Sequence, residues 1–64
     1  MEILNSYNIF RGAVIRERQT GVDWTVEEPH ARWDGWKIHS GSTYRLIFTD
    51  QMKQYSILDL SEAN

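Results

Sequence analysis

The chain has no cysteine, one proline and four glycines, and no apolar run approaching the ~20 residues of a membrane-spanning helix. Without cysteine there can be no disulfide framework and no thiolate metal site. At 64 residues the chain must hold together through an apolar core alone, near the lower size limit for doing so. No Gly/Ser-rich or low-complexity tract marks a linker, so residues 1–64 read as one small domain that frays near 1–5 and 61–64. A positively charged start followed by an apolar stretch is also missing. Cytoplasmic location without membrane contact is therefore the default expectation. Positive charge is not in excess: seven Lys and Arg stand against nine Asp and Glu, a net charge of −2. A dedicated duplex-binding protein is usually basic, so nucleic acid is not the first partner to consider.

Catalytic patterns are equally scarce. The chain holds no Cys nucleophile, no Gly-rich phosphate loop and no serine between elbow glycines. Glu27 and Glu28 are adjacent, so on a strand they point to opposite faces and cannot work together as acid and base. A chain this short can scarcely enclose a water-excluding pocket. A non-catalytic protein with no cofactor is expected.

What the chain does have is β-strand signal. The stretch His30-Ala31-Arg32-Trp33-Asp34-Gly35-Trp36-Lys37-Ile38-His39 centres on Asp-Gly between aromatics, a strong mark of a two-residue type I′ hairpin. That turn would set Trp33 against Trp36, Arg32 against Lys37, Ala31 against Ile38 and His30 against His39. One face would then be apolar and the other wholly basic. Each tryptophan can bury ~150–250 Å², so at least two of the three are read as core.

Taken in order, residues 9–18 read as a strand in preference to a helix capped by Asn5 or Ser6. Gly12 would sit inside that helix, and Ile9, Val14 and Ile15 are β-branched. A two-residue turn at Thr20-Gly21 would set Arg18 opposite Asp23 and Ile15 opposite Val26. Residues 22–28 give the cleanest period of two, with Val22, Trp24 and Val26 alternating with Asp23, Thr25 and Glu27. Pro29 ends that strand or lies on an edge. After a loop at Ser40-Gly41-Ser42, residues 43–49 alternate again. A turn at residues 50–53 would fold residues 54–60 back as a hairpin, with Tyr44, Leu46, Phe48, Tyr55 and Ile57 on its buried face. The expected fold is all-β: a small antiparallel meander or SH3-like barrel of five or six short strands. The alternative is α+β, with an N-terminal helix on a four-stranded sheet.

Three constellations qualify as candidate sites. His30 and His39, with Glu28 or Asp23, could supply part of a zinc site, although exposed histidines flanking a hairpin are the more frequent outcome. Arg32 and Lys37, facing one another, would call for something acidic nearby, in the chain itself or on a ligand. With Trp24 and Arg16 they could also form a basic–aromatic platform for single-stranded nucleic acid. The reverse face of the last hairpin would expose Ile47, Leu58 and Leu60 beside Arg45, an apolar patch with a polar anchor. The leading expectation is thus a non-catalytic binding protein that docks onto a larger protein or a second copy of itself. Its role would be that of an inhibitor, accessory subunit or small regulator, of the kind phages and mobile elements encode. A nucleic-acid-binding module is the alternative.

Overall fold

The computed structural model describes residues 2–30, 32 and 34–58. Its order is β1 (Glu2–Ile3), β2 (Val14–Glu17), β3 (Asp23–Pro29), β4 (Gly35–Ser40), β5 (Thr43–Phe48), a 3₁₀ helix (Thr49–Gln54) and β6 (Tyr55–Ile57). The strands form one antiparallel sheet in the order β1-β6-β2-β3-β4-β5. This is the all-β antiparallel meander the sequence predicts, with the last strand carried back beside β2. No α-helix occurs among the described residues, which removes the α+β alternative.

The sheet is curled. Arg45 on β5 donates to the Tyr55 hydroxyl on β6 at 2.8 Å, although four strand intervals separate the two strands in the sheet. In a flat sheet those intervals would span roughly 19 Å. The core lies inside the curl and draws on five strands: Ile15, Trp24, Val26, Ile38, Ile47, Tyr55 and Ile57, closed by Leu4, Ile9, Ala13 and Met52. Trp36 packs partly buried against it. Of the tryptophans, Trp24 and Trp36 are thus structural, and Trp33 lies outside the described residues.

Several expectations about turns are corrected. Asp34-Gly35 is not the hairpin turn. Among the described residues positive φ occurs only at Gly12, Gly21 and Gly41, whereas a type I′ turn needs it at both central positions. Gly35 instead opens β4 opposite Phe48, and Asp34 is tied to the end of β5: Thr49 donates to its carboxylate through Oγ1 at 2.7 Å and to its carbonyl through N–H. His30, Arg32 and Asp34 lie in the β3–β4 loop. Lys37 consequently faces Glu28 and not Arg32, His39 faces Thr25 and not His30, and a bulge at Glu27 shifts the register. Ala31 lies outside the described residues.

The β2–β3 pairing is also displaced. Arg16 stands opposite Asp23 and Ile15 opposite Trp24. Residues 18–22, five in all, link the strands, and Arg18 is drawn to the chain at residues 53–54. Its N–H bonds the Gln54 carbonyl and its guanidinium the Lys53 carbonyl. Residues 9–13 are not strand. Asn5 and Asn8 hold a tight turn just before them, with Asn5 Oδ1 accepting from the Tyr7 and Asn8 amides, and Gly12 at φ +91° breaks any regular run into β2. The N-terminus, expected to fray, contributes β1, which pairs with β6, and buries Leu4. Residues 59–64 lie outside the described residues.

The last hairpin does not form. Residues 49–54 make a 3₁₀ helix that buries Met52, and β6 pairs with β1 and β2 instead of β5. An apolar residue at the tip of a hairpin would be exposed; here the core takes it in. The consequence for β5 is an inversion. Ile47 is buried, while Tyr44, Leu46 and Phe48, expected inside, are 59%, 39% and 37% exposed.

Candidate functional site

Cross-strand partners share a face, so β4 dictates which side of β5 turns inward. Trp36 and Ile38 face the core and pair with Ile47 and Arg45. Gly35, Lys37 and His39 face outward and pair with Phe48, Leu46 and Tyr44. The result is an outer face where three large apolar side chains stand in a row along β5. Lys37 holds its ammonium 4.9 Å from the centre of the Tyr44 ring, and His39 lies 5.7 Å from the same ring. An open groove of about 450 Å³ is lined by Glu28, His30, Lys37, Tyr44, Arg45 and Leu46.

β5 is also an edge. Nothing among the described residues pairs with its far side. In an antiparallel ladder, alternate residues bond to the neighbouring strand. Thr49 N–H donating to the Asp34 carbonyl fixes which ones. Arg45 and Ile47 bond to β4; Tyr44 and Leu46 direct their N–H and C=O groups away from the sheet. Phe48 N–H is occupied by the Gln51 side chain at 3.0 Å. Backbone hydrogen-bonding groups and apolar side chains are therefore offered together along one strand.

The predicted site residues fall elsewhere. Ile47, expected on the docking face, is 1% exposed and belongs to the core. Leu58 is half-buried, bonds through its N–H to the Val14 carbonyl, and follows β6, with three strands between it and β5. It cannot share a hairpin face with Ile47. Leu60 lies outside the described residues. Arg45 serves internally: it bonds Tyr55, sits 3.2 Å from the Glu17 carboxylate and stacks 4.3 Å above the Trp24 ring. The Tyr55 hydroxyl raises the pKa of this guanidinium further, with Glu17 contributing.

Nor are the cations and rings proposed as a nucleic-acid platform gathered together. Trp24 is 4% exposed beneath Arg45. Arg16 is paired with Asp23 at 2.7 Å, which holds that carboxyl below the usual aspartate range. Lys37 faces Glu28 on the outer face, and Arg32 is exposed in the β3–β4 loop. The histidines are separate as well. His39 Nδ1 lies 2.7 Å from Glu27 Oε2, whereas His30 Nδ1 accepts from the Arg32 amide. No group of three or more possible metal ligands occurs among the described residues, and no helix there is long and apolar enough to cross a membrane.

Sequence reasoning missed Tyr44, Leu46 and Phe48 as surface residues. The signal lay in Gly41-Ser42. Gly41 has φ +60° and Ser42 does not have positive φ, the pattern of a two-residue II′ hairpin. That turn pairs Ser40 with Thr43 and so sets Tyr44 beside His39 on the outside. No family model, curated protein or solved structure matches the chain.

Proposed function

We propose that the protein is a non-catalytic binding module that docks onto other protein chains through β5. Its partner supplies an extended strand: main-chain hydrogen bonds form with Tyr44 and Leu46, and apolar side chains settle on the outer face. One observation carries this reading. Tyr44, Leu46 and Phe48 are exposed on the same strand whose backbone is open at the sheet edge. Soluble proteins usually blunt such edges with charge, proline or bulges, and β5 has neither proline nor bulge, while its one charged residue, Arg45, turns to the core side. A small chain that offers one open strand edge would serve as an inhibitor, accessory subunit or small regulator, of the kind phages and mobile elements encode, in the cytoplasm.

The experiment compares immobilised wild-type chain with Leu46→Lys in extract from the native host. The reading expects one protein held stoichiometrically by the wild type, resistant to nuclease and lost from the variant. Nuclease-sensitive recovery, or capture indifferent to residue 46, would contradict it.

A further inference from the structure

We propose that the open edge of β5 pairs antiparallel with β5 of a second copy of the chain, about a two-fold axis through Leu46. The inference rests on reading β5 as a strand-accepting edge, and it names the strand that edge takes in the absence of another partner.

The sheet has two edges, and they are not equivalent. β1 is two residues long, whereas β5 is six. Only β5 presents enough backbone for a ladder. A two-fold pairing must match outward-bonding residues with outward-bonding residues, or side chains change face. Every residue-centred register satisfies that condition, but only those centred on Arg45 and Leu46 overlap as many as five residues of β5. Centring on Arg45 would set one Arg45 directly against the other, two like charges. Centring on Ile47 overlaps only residues 46–48 and, with the Phe48 amide held by Gln51, keeps only the bonds from Leu46 N–H to the Phe48 carbonyl.

Centring on Leu46 opposes no like charges; it too forgoes the Phe48 amides, which Gln51 holds, but four bonds remain. Leu46 bonds reciprocally to its own copy, and each Tyr44 N–H reaches the Phe48 carbonyl of the other chain while Gln51 stays in place. On the outer face Leu46 meets Leu46, and Tyr44 meets Phe48 twice. Aromatic cross-strand pairs of this kind are favourable. On the reverse face Arg45 stands opposite Ile47, so no like charges meet there. Lys37, the cation beside Tyr44 on the outer face, stands opposite Glu28 within its own chain. The surface is thus complementary to itself, as an isologous two-fold contact requires. It is also small, so the dimer is weak and depends on concentration. A foreign strand that docks on β5 replaces the second copy.

Sedimentation velocity over a concentration series tests this directly. The wild type shifts from monomer to dimer as concentration rises. Leu46→Lys, which sets two ammonium groups on the axis, weakens dimerisation by at least about tenfold, corresponding to roughly 1.4 kcal/mol. Cysteine cross-linking checks the register in a chain with no cysteine of its own. Hydrogen-bonded antiparallel partners have Cα atoms ~5.5 Å apart, within the ~4.4–6.8 Å of a disulfide. Oxidised Leu46→Cys forms a covalent dimer, while Tyr44→Cys, whose copies would lie ~14 Å apart along the strands, does not.

A wild-type chain that stays monomeric up to about 1 mM overturns the proposal, as does a dimer indifferent to Leu46→Lys or one that Tyr44→Cys cross-links equally well. If the monomeric chain still captures a partner protein through Leu46, self-pairing falls and the docking reading stands. If capture is also indifferent to Leu46, both fall.

Discussion

Replacing Gly35 with alanine tests the packing between β4 and β5 at its tightest point. A Cβ on Gly35 would lie 2.8 Å from the Ile47 carbonyl oxygen and 2.9 Å from Cδ1 of Phe48. The Phe48 ring can move, since it is partly exposed; the carbonyl belongs to the ladder and cannot. Backbone conformation contributes no strain here, because Gly35 does not have positive φ. At such a position Gly→Ala ordinarily stabilises by about 0.4–1 kcal/mol through the unfolded chain. Overpacking of this kind costs about 1–3 kcal/mol, so the net expectation is a loss of about 1–2 kcal/mol. In a domain this small that lowers the melting temperature by roughly 5–15 °C. Thermal and urea denaturation of Gly35→Ala, beside a Gly35→Ala/Phe48→Ala cycle, gives the answer. The double variant recovers part of the loss, because one of the two close contacts is the ring. A Gly35→Ala chain as stable as the wild type would refute the close approach of the strands.

Two further outcomes follow from the faces of the sheet. Ile47→Ala opens the core and costs about 2–5 kcal/mol, whereas Leu46→Ala changes the denaturation midpoint by under about 1 kcal/mol; the opposite ranking would return β5 to the orientation its sequence suggests. Asp23 titrates below the ordinary aspartate range, chiefly through the hydrogen bond from Arg16. Its folded pKa is depressed, so the stability it contributes is present above the unfolded value and lost as pH falls through the folded one. Carboxyl chemical shifts against pH should show Arg16→Ala moving Asp23 back up, and an unmoved titration would remove the ion pair.

The all-β class was legible because strands announce themselves locally. Trp24 and Val26 alternate with polar neighbours, and they are buried as that period requires. Orientation was harder, since it depends on turns. Along β5 the residues Tyr44, Leu46 and Phe48 are more apolar than Thr43, Arg45 and Ile47, and burial by hydropathy alone selects the wrong set. The Gly41-Ser42 turn overrides that preference by fixing which residues lie beside Trp36 and Ile38. Asp34-Gly35 misled for the converse reason. Its glycine is required by a close approach of chains, a demand the sequence expresses with the same letter as a turn. The 3₁₀ helix and the return of β6 to β2 depend on Met52 finding the core and on Arg18 reaching residues 53–54. Those are contacts between segments distant in sequence, which no local period encodes. Arg45, the expected docking anchor, instead spans Trp24, Glu17 and Tyr55 to fasten β5 over the core.

Amide hydrogen exchange along β5, read residue by residue by NMR in dilute solution, tests most directly whether this strand is an open, strand-accepting edge. The account predicts an alternation: Arg45 and Ile47 exchange slowly because they bond to β4, while Tyr44 and Leu46 exchange fast because their amides face outward. Raising the protein concentration, or adding a partner, then slows Tyr44 and Leu46 and leaves Arg45 and Ile47 as they were. Equal protection of Leu46 and Ile47 in the dilute monomer, or no gain at Tyr44 and Leu46 on association, would contradict it.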